Sequence, residues 1–156
     1  MGKSAASEET PSARGLRCVV VAARYNEAIV GRMIEGACAA WTRFGGEAAG
    51  LRIERVPGAF ELPLAARQLA LRGGSDAVVA LGCVIRGDTA HFDYVAGECA
   101  RGLMQVMLES GVPVCFGVLT TDTVAQAEER ADPARLDKGG EAIATAIAMT
   151  RLLRRI

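Results

Sequence analysis

Aromatic side chains make up only 4% of this sequence, so its core must be built from Ala, Val, Leu and Ile. Histidine occurs once, at His91, and lysine only at Lys3 and Lys138. One histidine and dispersed cysteines argue against a metal site. There is no second histidine for a hydrolytic triad and no Gly-x-Ser-x-Gly turn, which argues against that class of hydrolase. Net charge is missing as well. The 18 acidic residues balance 18 basic ones, so no overall field favours nucleic acid or an anionic membrane. No stretch approaches the ~18 apolar residues of a membrane span. The first residues, Met-Gly-Lys-Ser-Ala-Ala-Ser, lack the apolar core of a signal peptide. The expected location is the cytoplasm. The 5 cysteines, Cys18, Cys38, Cys83, Cys99 and Cys115, are odd in number, widely spaced and set in apolar segments, with no Cys-x-x-Cys. They read as small buried hydrophobes in a reducing compartment.

A chain of 156 residues is most simply one domain, and at that size folding buries roughly 70% of the unfolded surface. Residues 1–15 are small and polar and contain Pro11, which predicts a mobile arm before a single domain at 16–156. Cys18–Ala23 is a continuous apolar run of the kind found in strands buried on both faces. A helical stripe follows through Val30, Met33, Ile34, Ala37, Cys38 and Trp41, with Asn26 as N-cap and Gly45-Gly46 as the stop. Leu51–Val56 reads as a strand, Val56-Pro57-Gly58 as a turn, and Phe60–Arg72 as a helix with Pro63 in its first turn. Ala77–Ile85 is the most apolar strand, and a long helix after it ends at Gly111-Val112-Pro113. Val114–Leu119 is a fourth strand. Thr120-Thr121-Asp122-Thr123 caps a helix at Val124–Ala131, and a last helix runs from about Gly139. Strands alternating with helices predict a flavodoxin-like three-layer α/β/α sandwich around a four-stranded parallel sheet.

In such a sheet, ligands bind beyond the carboxyl ends of the strands. Three of those ends carry one of the scarce aromatics, Tyr25, Phe60 or Phe92. Two readings stand level: a stacking site for a planar ligand, or plugs for the ends of the core. The stretch Gly82–Phe92 joins the third strand to its helix through Gly87-Asp88-Thr89 and holds His91. It is not a P-loop, because the required lysine is replaced by aspartate and Cys-Val-Ile-Arg continues the strand. Its backbone amides could still meet a simpler phosphate, with an arginine for charge. A lone histidine is more often a surface or capping residue. At a strand-end turn it gains weight as an acid/base near neutral pH, expected in the first turn behind a Thr89 cap.

Several blocks in order then resemble the lumazine synthase family: Ala-Arg-Tyr-Asn-Glu (23–27), Val-Pro-Gly-Ala-Phe-Glu-Leu-Pro (56–63), Gly-Cys-Val-Ile-Arg-Gly-Asp-Thr-Ala-His-Phe-Asp-Tyr-Val (82–95), Val-Pro-Val-Cys-Phe-Gly-Val-Leu-Thr-Thr-Asp (112–122), Gln-Ala-Glu-Glu-Arg-Ala (126–131) and Asp-Lys-Gly-Gly-Glu-Ala (137–142). The resemblance spans residues 17–150. It implies a transferase that condenses 5-amino-6-(D-ribitylamino)uracil with 3,4-dihydroxy-2-butanone 4-phosphate in riboflavin biosynthesis, using no cofactor and no metal. The products are 6,7-dimethyl-8-ribityllumazine, phosphate and water. It further implies that Tyr25 stacks on the pyrimidine, Ala59, Phe60 and Glu61 hold the ribityl chain and ring edge, and Cys83, Val84 and Ile85 give backbone contacts. Asp88 and Thr89 would meet the phosphate substrate, and His91 would move protons. The implied assembly is a homopentamer with sites between subunits. Phe116 and Arg130 would come from the neighbour, with Lys138 close by. Tyr25 departs from the family's usual Phe or Trp, and Ala-Asp-Pro-Ala-Arg-Leu-Asp (131–137) lacks the Gly-rich pattern of shell-forming members, which favours an isolated pentamer over a larger assembly. Two alternatives are a weakly catalytic paralogue that binds flavin or lumazine, and a regulatory receiver domain. The latter lacks its phosphoacceptor aspartate, since the first strand ends in Ala-Arg-Tyr-Asn.

Overall fold

The computed structural model describes residues 11–156. The elements are β1 (Cys18–Ala23), α1 (Glu27–Arg43), β2 (Leu51–Val56), α2 (Leu62–Arg72), β3 (Ala77–Ile85), α3 (His91–Ser110), β4 (Val114–Thr121), α4 (Val124–Ala131) and α5 (Lys138–Arg155). The strands form one parallel sheet in the order β2-β1-β3-β4. This is the expected three-layer α/β/α arrangement. Alternate residues of the central strands feed two separate cores. Val20, Ala22, Val79 and Leu81 pack with Met33, Trp41, Ile143 and Ile147 under α1 and α5. Val21, Val78 and Ala80 pack with Leu62, Leu103 and Val106 under α2 and α3. That two-sided burial is why β1 and β3 read as unbroken apolar runs.

Two local expectations are corrected, while β2 spans the expected residues as an edge strand with Arg52, Ile53 and Glu54 exposed, unlike its buried neighbours. Its Arg52 and Glu54 pair at 3.1 Å, and such charges discourage edge-to-edge pairing. Residues 1–10 of the expected arm lie outside the described residues, but 12–16 are packed. Ala13 and Leu16 are buried, the Ala13 amide donates to the Phe44 carbonyl at 2.9 Å, and Arg151 donates to the carbonyls of Ser12 (2.9 Å) and Arg14 (2.7 Å). Ser12 and Arg14 are thus tied to α5 by an arginine more than a hundred residues away in sequence. Phe60 belongs to a short 3-10 turn, Ala59–Glu61, ahead of α2 rather than to the helix itself.

α5 begins one residue earlier than its glycines suggest. Asp137, at φ 45°, is its N-cap and accepts from the Gly140 amide at 3.1 Å. The opening turn of α5 lies directly on α1. A Cβ on Gly139 would collide with the Met33 backbone, and one on Gly36 would collide with the Asp137 carboxylate. This contact fixes where Lys138 emerges. Gly139→Ala should therefore destabilise the protein by about 1–3 kcal/mol, the usual cost of overpacking a tight contact. Urea titration checks this. A midpoint equal to wild type would show that the helices can separate without penalty.

Candidate active site

The strand ends build a cavity of about 810 Å³ over β1 and β3. Its first wall is the β1–α1 turn. The Arg24 amide donates to Val56 (2.8 Å) and the Tyr25 amide to Pro57 (3.0 Å), so the two strand ends fix each other. Asn26 sits at the α1 N-cap position, as expected, but it does not cap. It adopts φ 59°, a region that asparagine tolerates, and its amide Nδ2 donates across the cavity floor to the Cys83 carbonyl at 2.9 Å. The second wall is the 3-10 turn at Ala59–Glu61, closed by the Glu61 amide on Gly58 at 3.2 Å. The floor is Cys83, Val84 and Ile85, and the third wall is the first turn of α3.

Exposure decides between the two readings of the aromatics. Trp41, a core residue, is 2% exposed, whereas Tyr25 is 73% and Phe60 57% exposed. They are not plugs; they line the cavity with Phe92 and Tyr94. Tyr94 and Val95 escaped the sequence reading. They lie three and four residues past His91, the spacing that shares one helix face, so the signal was present.

His91 is exposed and lies in the first turn of α3, as expected, as its first residue. The cap position is Ala90, and the Thr89 hydroxyl accepts from the His91 amide at 3.3 Å. Thr89 and His91 line the cavity, while Asp88 stands exposed in the adjoining loop. Arg86, just before that loop, is engaged on three sides. It meets Asp122 at 3.0 Å and Asp93 at 3.5 Å, and its guanidinium lies 4.3 Å from the centre of the Phe92 ring. The hydrogen bond to Asp122 leads the effects that hold it firmly protonated.

Phe116, Arg130 and Lys138 do not join this cavity. They gather in a second one of about 270 Å³ beside edge strand β4. The two linings share no residue. Phe116 pairs with Ala80, three positions before Cys83 on β3, which is about 10 Å along the strand. Arg130 donates to the Gln126 carbonyl at 3.0 Å and lies 4.0 Å from Glu129. Lys138 pairs with Glu141 at 2.7 Å, a cavity-lining carboxylate that the sequence reading missed.

A sequence profile described as 6,7-dimethyl-8-ribityllumazine synthase matches residues 15–154. The chain belongs to the lumazine synthase family. A protein named 6,7-dimethyl-8-ribityllumazine synthase from Thermus thermophilus is 52% identical over 145 residues, covering 93% of this chain and 92% of its own. Proteins of the same name from Nitratidesulfovibrio vulgaris and Syntrophus aciditrophicus are 49% and 48% identical over 144 residues. Each alignment covers 92% of this chain, and 92% and 94% of theirs respectively. Among the described residues, no helix of this lumazine synthase family member is long and apolar enough to cross a membrane.

Burial disfavours the thiolate, the nucleophilic form, of the floor cysteine. Burial pushes the Cys83 thiol from 9.0 up to about 11, and does the same to Cys99. Burial raises Cys18 and Cys115 to about 12, with Cys115 and Asp76 adding to the effect on Cys18. A raised thiol pKa means that the fold favours the protonated form. The associated stability is complete below the unfolded value near 9.0 and is lost as pH climbs toward 11–12. Native protein at pH 8 should react slowly with a disulfide reagent at these four thiols, and its urea midpoint should fall steadily above pH 9. Fast stoichiometric labelling of all 5 cysteines without denaturant would contradict this.

Proposed function

We propose that this chain condenses 5-amino-6-(D-ribitylamino)uracil with 3,4-dihydroxy-2-butanone 4-phosphate, giving 6,7-dimethyl-8-ribityllumazine, phosphate and water. The observation that carries this reading is the aromatic-walled strand-end cavity with the chain's only histidine at its rim, in a member of this family. Tyr25 stacks on the pyrimidine, and Phe60 and Glu61, with the Ala59 backbone, hold the ribityl chain. The backbone of Cys83, Val84 and Ile85 meets the ring edge. Asp88 and Thr89 face the phosphate-bearing substrate.

The substrates bring their own reactivity: an arylamine, a ketone and a phosphate leaving group. Imine formation, phosphate elimination and ring closure need proton transfers and two molecules held in register. Positioning is therefore the larger part of catalysis. His91 supplies the acid/base function. Cys83, protonated and buried, serves through its backbone.

Separation of the two cavities supports a site shared between copies. Phe116 closes the pyrimidine pocket of the neighbouring subunit, and Arg130 binds the phosphate there, with Lys138 beside it. Exposed apolar side chains on α2 and α3, Leu64, Leu71, Met104 and Leu108, suit burial against further copies. The family resemblance makes the assembly a closed homopentamer with five such shared sites. No observation favours a flavin-binding protein without catalysis.

His91→Ala should slow turnover by about 10²–10⁴-fold, the usual contribution of an acid/base group, without abolishing it. Arg130→Ala should mainly raise KM for the butanone phosphate. Lumazine fluorescence after mixing both substrates reports both. Unchanged steady-state constants in purified His91→Ala protein would remove His91 from the reaction.

A further inference from the structure

We propose that Arg86 is a positioning residue that clamps the His91 turn to the end of β4. This rests on the reading above that His91 moves protons. Arg86 is the first residue past β3, where the sheet's hydrogen bonding runs out. Its amide still donates to the Thr121 carbonyl at 2.9 Å, which fixes the backbone from which the side chain departs. From there the guanidinium reaches two elements. Nε meets Asp122 at 3.0 Å, in the β4–α4 turn. Nη1 meets Asp93 at 3.5 Å, and the plane lies over the Phe92 ring, both in the first turn of α3. Phe92 and Asp93 are the two residues that follow His91.

The far anchor is itself rigid. Thr123 and Gln126 form a reciprocal capping box, and the Gln126 side-chain oxygen also accepts from the Asp122 amide at 2.9 Å. The loop that leads into the first turn of α3 has few other ties. Ala90 offers no side-chain cap, and residues 86–91 are all exposed. Without Arg86, the described contacts of that loop reduce to short-range hydrogen bonds of Thr89 and Ala90.

Magnitudes separate this role from a merely structural one. The Arg86 side chain is 47% exposed, and the carboxylates of Asp93 and Asp122 are 62% and 69% exposed. Exposed ion pairs add little to stability. Displacement of a reacting group by about 1 Å can nonetheless cost about 10²-fold in rate. Two carboxylates already offset the guanidinium charge, so Arg86 is poorly suited to be the anion ligand, a role the Arg130 cavity fills better.

The test uses the intact assembly and the fact that His91 is the only histidine. Its imidazole Cε1–H resonance, recorded without a histidine tag, reports directly on the clamped turn. Arg86→Ala should lower kcat about 10–10²-fold. The urea midpoint should stay near wild type, KM for both substrates should change little, and the His91 resonance should shift. Arg86→Lys should recover part of the rate, because an ammonium can pair with one carboxylate but not with both and the ring. In a His91→Ala background, Arg86→Ala should cost little more, since Arg86 acts through His91. Asp122→Asn, which loosens the clamp from its far end, should reproduce the pattern in milder form and serves if Arg86→Ala fails to assemble. Equal losses with and without His91, an unmoved His91 resonance, or a loss seen only as raised KM for the butanone phosphate would each overturn the proposal. Full activity in His91→Ala would instead overturn the role given to His91. In that case the resonance of the Arg86 variants still decides whether the clamp exists.

Discussion

The molecule depends on β3 being buried on both faces between β1 and β4. A strand in that position accepts no polar side chain along Ala77–Cys83, so chemistry is displaced to where the sheet stops. At its carboxyl end, the carbonyl of Cys83 is reached by Asn26 from β1's turn, and the amide of Arg86 is held by Thr121 from β4. Two neighbouring strands thus fix the same few residues from opposite sides. The cavity floor is rigid because its backbone is part of the sheet, and its walls are variable because they are turns.

That arrangement explains why so little catalytic equipment is needed. The buried thiols are kept protonated and inert by their surroundings, and the exposed aromatics form planar walls rather than core. The only histidine of the sequence, His91, stands at the rim. Condensation of two reactive small molecules asks mainly for registration, and a stiff sheet end with aromatic sides provides it.

Much of this was legible in the sequence. The apolar runs Cys18–Ala23 and Ala77–Ile85 declared buried parallel strands, Gly45-Gly46 marked a helix end, and the Thr120–Thr123 stretch announced a helix start that the structure contains. The gathering of Tyr25, Phe60 and Phe92 at strand ends was visible as placement, but stacking wall and core plug differ only in exposure, which periodicity does not encode. Non-local partnerships were not legible. Asn26 matches a helix cap in type and position, yet its side chain turns to Cys83, 57 residues on. Ala13 and Leu16 look like the end of a loose tail until Arg151 closes over the Ser12 and Arg14 carbonyls. Glu141 lies one helical turn from Lys138, a pairing the spacing alone permits, but only the fold sets the two in one cavity with Arg130.

The separation of the His91 cavity from the Phe116–Arg130–Lys138 cavity is the feature with the widest consequence, because under the proposed function one chain then carries two half-sites. Co-assembly of two impaired variants measures this most directly. His91→Ala and Arg130→Ala chains are unfolded together in equal amounts, refolded, and assayed at low butanone phosphate against each variant refolded alone. If each site takes His91 from one chain and Arg130 from the next, random mixing restores about a quarter of the sites, and activity rises well above either parent. If both residues serve within one chain, every site keeps one lesion, and the mixture does no better than the mean of the two parents.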